Sequence, residues 1–204
     1  MKRIFFLLLL SLFFYDCLGQ TTNSKWEYSI ECQYKNLEPF VGGVARAKNS
    51  KNFWGFINQY GEWIIKPKFA NCTNFSNAGI AKVSIKKNNK TLYGFINKSG
   101  EYVIKPLFLS LTTFKHGLSI AQAQSELYGV IGVSGKWIIT PKYDRLTRFQ
   151  YELSKATYRN KVGFIDIKGE WVIPPIFEAG KFQNRYTILV KEDGKWGVIK
   201  INKL

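Results

Sequence analysis

Short apolar stretches bounded by Gly, Asn and Pro follow one another along most of the chain. One of them starts at Trp54 and ends at Asn58, and a second, rich in Trp and Ile, follows Gly61. Such stretches between turn residues are typical of β-strands. An Asn that opens a turn and a Gly that accepts a positive φ are typical of hairpin loops. The pattern therefore predicts β-hairpins and no helix.

The same pattern recurs five times, marked by a Gly that follows a large residue. These marker glycines are Gly55, Gly94, Gly129, Gly163 and Gly197, at spacings of 39, 35, 34 and 34 residues. The turn glycines of the first four copies are Gly61, Gly100, Gly135 and Gly169. Trp recurs before the marker Gly or in the next strand, at Trp54, Trp63, Trp137, Trp171 and Trp196. Each copy predicts a meander of three strands.

A proline follows the second strand of each of the first four copies. These residues are Pro67, Pro106, Pro141 and Pro174. Because proline cannot donate to a β-ladder, we expect it to end that strand. A third strand, such as the one around Ala81-Lys82-Val83, is predicted to follow after a loop.

These recurring residues resemble the WG-repeat (KWG) family of bacterial β-repeat proteins, over roughly residues 26–204. The resemblance implies an all-β fold, an array of about five three-stranded β-meander repeats in an open, curved, solenoid-like stack. The alternative is a closed five-bladed propeller-like ring, because the two ends of the chain read as complementary halves of one repeat.

The predicted domain organisation is an export signal at 1–19 and a repeat domain at 20–204. The repeat units are expected around 54–83, 93–123, 128–156 and 162–190, with a split unit made of 26–47 and 196–204. The signal has a basic start at Lys2 and Arg3 and an apolar run too short to span a bilayer. We therefore expect an exported protein, periplasmic, secreted or envelope-associated, with no transmembrane segment after signal removal. Lipidation of Cys17 is the lesser alternative.

Structural roles are expected for the repeated Trp and Gly residues, because one meander cannot bury its own faces and aromatic rings fill the space between repeats. No phosphate-binding loop, metal-ligand cluster or nucleophile motif is present in the sequence, and His116 is the single histidine. The sequence thus predicts no catalytic, cofactor-binding or metal-binding residues, no cofactor and no enzymatic activity. Whether Cys32 and Cys72 pair stays open.

The charge is lopsided, with 30 Lys and Arg against 14 Asp and Glu, a net charge of +16. Basic residues cluster along two segments and form the candidate basic surface: Lys86, Lys87, Lys90, Arg145, Arg148, Arg159 and Lys161. A basic surface attracts acidic partners. We expect the partner to be a protein or an acidic envelope polymer, and not nucleic acid, which an exported protein seldom meets. The function predicted is a non-enzymatic scaffold for protein or cell-envelope interactions, and the alternative is a glycan- or anionic-polymer-binding module.

A turn glycine provides the test of the hairpin assignment. Gly100→Val places a β-branched side chain where the turn requires a positive φ. We expect the free energy of unfolding to fall by about 1–3 kcal/mol. Thermal melting measures this loss, and an unchanged melting temperature would refute the hairpin assignment.

Overall fold

The fold consists of β-strands alone over residues 29–201, which the computed structural model describes. The predicted export signal and Cys17 lie outside these residues. The chain divides into two compact units, residues 1–68 and residues 69–204. The first unit contains the first sheet except for the last residue of that sheet, Phe69. The second unit contains Phe69 and the other four sheets.

Nineteen antiparallel strands form five separate sheets in the described part of the chain. The first sheet has β1 (Asn36–Leu37), β2 (Val44–Lys48), β3 (Trp54–Asn58) and β4 (Trp63–Phe69). The second has β5 (Asn71–Cys72), β6 (Ala81–Lys87), β7 (Lys90–Ile96) and β8 (Tyr102–Phe108). The third has β9 (Ser110–Leu111), β10 (Leu118–Gln122), β11 (Tyr128–Gly132) and β12 (Trp137–Tyr143). The fourth has β13 (Arg145–Leu146), β14 (Ser154–Tyr158), β15 (Lys161–Ile165) and β16 (Trp171–Phe177). The fifth has β17 (Ala179–Asn184), β18 (Thr187–Glu192) and β19 (Lys195–Lys200).

Each sheet is a meander whose strands lie in chain order, and none of the described sheets closes on itself. The prediction of an all-β array of repeated meanders is therefore confirmed. The third strand of every sheet carries the marker Gly and is called here the marker strand. The fourth carries the Trp-rich, proline-containing sequence and is called the outer strand; the fifth sheet has three strands and no outer strand.

The boundaries of each sheet differ from the boundaries of the repeat predicted from the sequence. The strand around Ala81 was expected to complete the meander of the copy before it. Instead β6 pairs with β7, the marker strand of the next copy, through the tight turn at Asn88 and Asn89. Both turn residues have positive φ, 49° and 57°, which matches the twist of a two-residue hairpin. A sheet therefore begins just after an outer strand ends.

The first four marker glycines lie where the backbone of the outer strand comes close to the marker strand. A Cβ built on Gly129 would stand 2.4 Å from the carbonyl oxygen of Ile139 and 2.9 Å from the nitrogen of Pro141. Gly55, Gly94 and Gly163 meet the equivalent backbone atoms at 2.4–2.5 Å. In these four sheets the marker position therefore requires Gly, because only Gly leaves room for the neighbouring backbone.

Proline does not end the outer strand, so that prediction is wrong. β4, β8, β12 and β16 continue beyond Pro67, Pro106, Pro141 and Pro174 to a terminal aromatic residue. Two features make proline acceptable there. The outer strand is an edge strand, and in β8, β12 and β16 its pairing register shifts beside the proline. A missing N–H costs little at an edge or a bulge.

The predicted hairpin turns are confirmed. Gly61 and Gly100 have φ of 82° and 84°. The Asn58 side-chain oxygen accepts hydrogen bonds from the backbone N–H groups of Tyr60 and Glu62, both at 3.0 Å. The Asn58 side-chain amide donates to the Glu62 carboxylate at 2.8 Å. The recurring Glu after the turn Gly thus has a structural partner in the turn itself.

Neighbouring repeats contact each other through an aromatic ring, a Trp and a turn glycine. In the second unit, Tyr143 at the end of β12 packs edge-on against Trp171, with ring centroids 5.5 Å apart, and its hydroxyl donates to the Gly169 carbonyl at 3.0 Å. In the first unit, Tyr34 makes the same edge-on contact with Trp63 at 5.4 Å, and its hydroxyl donates to the Gly61 carbonyl. The indole rings therefore pack between repeats.

The close approach at the marker position can be tested with a matched pair of substitutions. Gly129→Ala forces a methyl group onto backbone atoms, so we expect the free energy of unfolding to fall by about 3 kcal/mol. Gly197→Ala, at the marker position of β19, meets nothing within 4 Å and should change it by less than about 0.5 kcal/mol. Urea unfolding compares the two; equal losses would contradict the close-approach explanation.

The Tyr143 hydroxyl provides a test at alkaline pH. Burial, and secondly the charge of Asp166, raises the pKa of Tyr143 to about 12, against about 10 in an unfolded chain. The folded state holds this proton more tightly, so its stabilisation is complete below about pH 10 and is lost as the pH rises towards 12. Tyr143→Phe should cost about 1–2 kcal/mol at pH 8. Urea unfolding should show a smaller difference from the wild type at pH 11, and a constant difference would exclude this role.

Candidate functional site

The structure divides the candidate basic surface among several places in the second unit. The first cluster lies on the β6–β7 hairpin, with Lys87 paired across from Lys90 at its tip. Arg159 and Lys161 lie at the tip of the β14–β15 hairpin. Arg145 and Arg148 line two different grooves. All seven residues of the candidate surface are exposed.

The groove beside Arg148 is formed by loops of the third, fourth and fifth sheets and has a volume of about 570 Å³. Two tight turns border it, at His116-Gly117 and at Tyr151-Glu152, and all four residues have positive φ. Each turn joins the first and second strands of its sheet, closed by the bridges Lys115↔Leu118 and Gln150↔Leu153. The wall includes Lys115, His116, Ile120, Arg148, Tyr151, Glu152, Ile167 and Arg185. We call this the basic groove.

Arg148 joins the loops of two adjacent sheets at the wall of the basic groove. Its guanidinium donates to the backbone carbonyl of Thr113 at 3.2 Å and to the Thr113 hydroxyl at 3.0 Å. A guanidinium has five N–H donors, so these two bonds leave donors for a ligand. Arg148 is therefore oriented before any ligand arrives.

Positive charge accumulates around this groove. Lys115, Arg148 and Arg185 contribute +3 and Glu152 contributes −1, which gives +2 with His116 neutral. The ion pairs between described residues are Arg46–Glu38 and Lys191–Glu178, neither of which involves the groove. Burial, and then the charge of Arg148, lowers the pKa of the nearby Lys82. The electrostatic character of the groove therefore favours an anionic ligand.

Apolar surface accompanies the charge. Ile167 is 50% exposed and Tyr151 is 49% exposed, although the Tyr151 ring also touches Phe182 edge-on with centroids 6.1 Å apart. A ligand in this groove would meet basic groups and apolar surface together. Such a mixed lining is typical of sites that bind peptides or small molecules.

A second groove, near Arg145, has a different character. It is about 670 Å³ in volume and is lined by Arg145, Lys155, Thr157 and Glu178, among others. Glu178 also forms an ion pair with Lys191 at 3.6 Å. Arg145 and Lys155 against Glu178 give this groove a net charge of +1, compared with +2 for the basic groove, so it is less suited to an acidic ligand.

The repeated Trp residues are not arranged as a ligand-stacking ladder. Trp54 is buried, and Trp63, Trp137 and Trp171 each pack edge-on against an aromatic ring of the neighbouring repeat. Among the Trp residues within 29–201, Trp196 is the most exposed, and it lies outside both grooves.

Sequence reasoning did not identify Lys115, Tyr151 and Arg185 as candidate site residues, although all three line the basic groove. They are far apart in the chain, yet each lies at the turn between the first two strands of its sheet. A search for runs of basic residues cannot find them. Aligning the repeats would have shown that all three residues lie at or next to the turn between the first two strands of a sheet.

Three further features concern the described residues only. No group of three or more His, Cys, Asp or Glu side chains within 29–201 is placed to hold a metal ion. No helix long and apolar enough to cross a membrane occurs in that range. Cys32 is exposed and Cys72 is buried in β5.

The chain is similar to a number of solved structures, among them two designed proteins and one β-propeller domain. The computationally designed Ika8 protein has a TM-score of 0.43 at 13% identity, over 81% of this chain and 57% of its own. The designed Ika4 protein has a TM-score of 0.33 at 11% identity, over 91% of this chain and 100% of its own. The WD40 β-propeller domain of Doa1 has a TM-score of 0.34 at 9% identity, over 78% of this chain and 60% of its own. This chain therefore spans less than two thirds of the Ika8 and Doa1 chains.

No curated protein matches the sequence. The profile of one family, described as "WG containing repeat", matches it five times, at residues 23–53, 54–90, 93–124, 128–161 and 163–196. These matches cover most of the chain and include every marker Gly except Gly197, which follows the last of them. The chain belongs to the WG-repeat family.

Proposed function

We propose that this WG-repeat protein is an exported, non-enzymatic interaction module that binds an acidic segment of a partner protein in the basic groove. The observation that carries the proposal is the set of three basic side chains, Lys115, Arg148 and Arg185, around one groove and outside any ion pair among the described residues. Basic groups held by turns of three consecutive sheets form one site only because the repeats pack side by side.

The lining favours an acidic peptide over an acidic polysaccharide. Ile120, Ile167 and Tyr151 give the groove an apolar wall, which suits aliphatic or aromatic side chains beside carboxylates. A polysaccharide site is more often built on exposed rings that stack on sugars, and three of the repeated indoles are packed between repeats instead. Binding of a glycan or another anionic polymer remains the alternative, which the same experiment tests.

The proposal is tested by measuring fluorescence anisotropy of a labelled peptide of alternating Glu and Leu. Lys115→Ser combined with Arg185→Ser removes two positive charges from the basic groove and leaves the Arg148–Thr113 contact in place. Because the groove charges contact the carboxylates directly, we expect the affinity to fall at least about tenfold.

The matched control removes the same charge elsewhere. Lys86→Ser combined with Lys90→Ser also lowers the net charge by two, at the β6–β7 hairpin, and should change the affinity by less than about threefold. Equal losses in both variants would mean general attraction by net charge and would contradict a site at the groove. Tighter groove-dependent binding of a sulfated polysaccharide would favour the anionic-polymer alternative.

A further inference from the structure

The edge of the fifth sheet has the features of a strand that lacks its partner. β3, β7, β11 and β15 are each paired with an outer strand. β19 carries the same marker sequence, Trp196-Gly197-Val198, and is the edge strand of a three-stranded sheet. Its unpaired N–H and C=O groups can therefore accept one more strand.

The side chains of β19 are also more exposed than those of the paired marker strands. Val198 is 63% exposed, whereas Val130, at the equivalent position of β11, is 0% exposed. A Cβ on Gly197 would meet nothing within 4 Å, whereas one on Gly129 would meet the outer strand at 2.4 Å. β19 thus keeps a glycine that its own sheet does not require.

Residues 29–34 resemble an outer strand that has no marker strand beside it. Tyr34 packs on Trp63 and donates to the Gly61 carbonyl, as Tyr143 of the outer strand β12 does to Trp171 and Gly169. Ile30 lies against Gly61, as Ile139 of β12 lies against Gly169. These residues make the contacts of an outer strand on one side, yet residues 29–35 belong to no strand.

The exposure of this segment agrees with a missing neighbour. Ile30 and Tyr34 are half-buried, whereas Ile139 and Tyr143 are buried to 3% and 0% exposure. In the third sheet, Tyr143 pairs with Tyr128 and Ile139 pairs with Val130. The same register would place Tyr34 beside Trp196 and Ile30 beside Val198, which covers the exposed side chains of both.

The charges are complementary as well. Residues 26–34 contain Glu27 and Glu31 and no Lys or Arg, a net charge of −2 in a chain of +16. β19 carries Lys195 and Lys200, a net charge of +2. Opposite charges on two segments that share a pairing register favour this partner over another edge.

We propose that β19 binds residues 29–34 of a second copy of this chain, which add as a fourth, antiparallel strand. Main-chain hydrogen bonds to the sheet edge provide affinity, and the glycine and the exposed Trp196 and Val198 provide the register. Each copy offers one edge and one segment, so the contact is head-to-tail and can continue from copy to copy. The marker glycine of β19 then has the same role as the other four.

The first experiment measures self-association of the full chain by analytical ultracentrifugation. Gly197→Val fills the space that the incoming backbone needs, while the open surroundings of Gly197 leave the single chain undisturbed. We expect the wild type to associate and Gly197→Val to weaken association at least about tenfold with an unchanged melting temperature. Gln183→Val adds the same side chain at the other edge of the sheet, on β17, and should associate like the wild type. A monomeric wild type, or full association of Gly197→Val, would overturn the proposal.

The second experiment identifies the occupant, in a background where Cys17, Cys32 and Cys72 are replaced by Ala. Protein carrying Ile30→Cys is mixed with protein carrying Val198→Cys and oxidised mildly. A mixed disulfide dimer forms far more readily than either homodimer if the segment of one copy lies on the β19 of another. When both substitutions are in one chain, a crosslinked monomer as the main product would show pairing within the chain and would overturn the second-copy assignment.

Discussion

The close approach of the outer strand to the marker glycine is the contact on which the rest of the repeat depends. At Gly55, Gly94, Gly129 and Gly163 the backbone of the next strand occupies the place of a side chain. This allows the outer strand to bulge over the marker strand, and the indole of Trp63, Trp137 or Trp171 fills the space beside three of these glycines. A Cβ there would push the outer strand away and with it the aromatic residue at its end.

That aromatic residue also contacts the next repeat and so connects the packing of the two repeats. Phe108 and Tyr143 end their outer strands and pack edge-on against Trp137 and Trp171 of the following repeat. Aromatic rings prefer this arrangement, which is worth about 0.5–1.5 kcal/mol beyond burial. Because one strand contacts both its own marker glycine and the next Trp, the packing within a sheet also determines the packing between adjacent repeats.

The repeat made much of the fold predictable. The recurring Gly positions indicated the strands and turns, and Asn58 and Gly61 have the roles that hairpin chemistry requires. The prolines were misread because the sequence does not reveal that their strand lies at an edge with a shifted register. The basic groove was only partly found: Arg148 was identified within a basic run, whereas Lys115 and Arg185 are neighbours through the stacking of sheets. A run of basic residues shows only which charges are close along the chain. The residues of this groove are far apart in the chain and come together because they lie in loops of different repeats.

The two-residue turns between the first and second strands carry different residues in different sheets. Gly42-Gly43, His116-Gly117 and Tyr151-Glu152 all adopt the same positive-φ geometry at equivalent places, although their chemistry differs widely. The backbone conformation is shared by these turns, while their side chains differ. The turn geometry is thus shared while the turn chemistry varies, so a turn sequence exchanged between sheets would change the lining of the basic groove without rebuilding the strands.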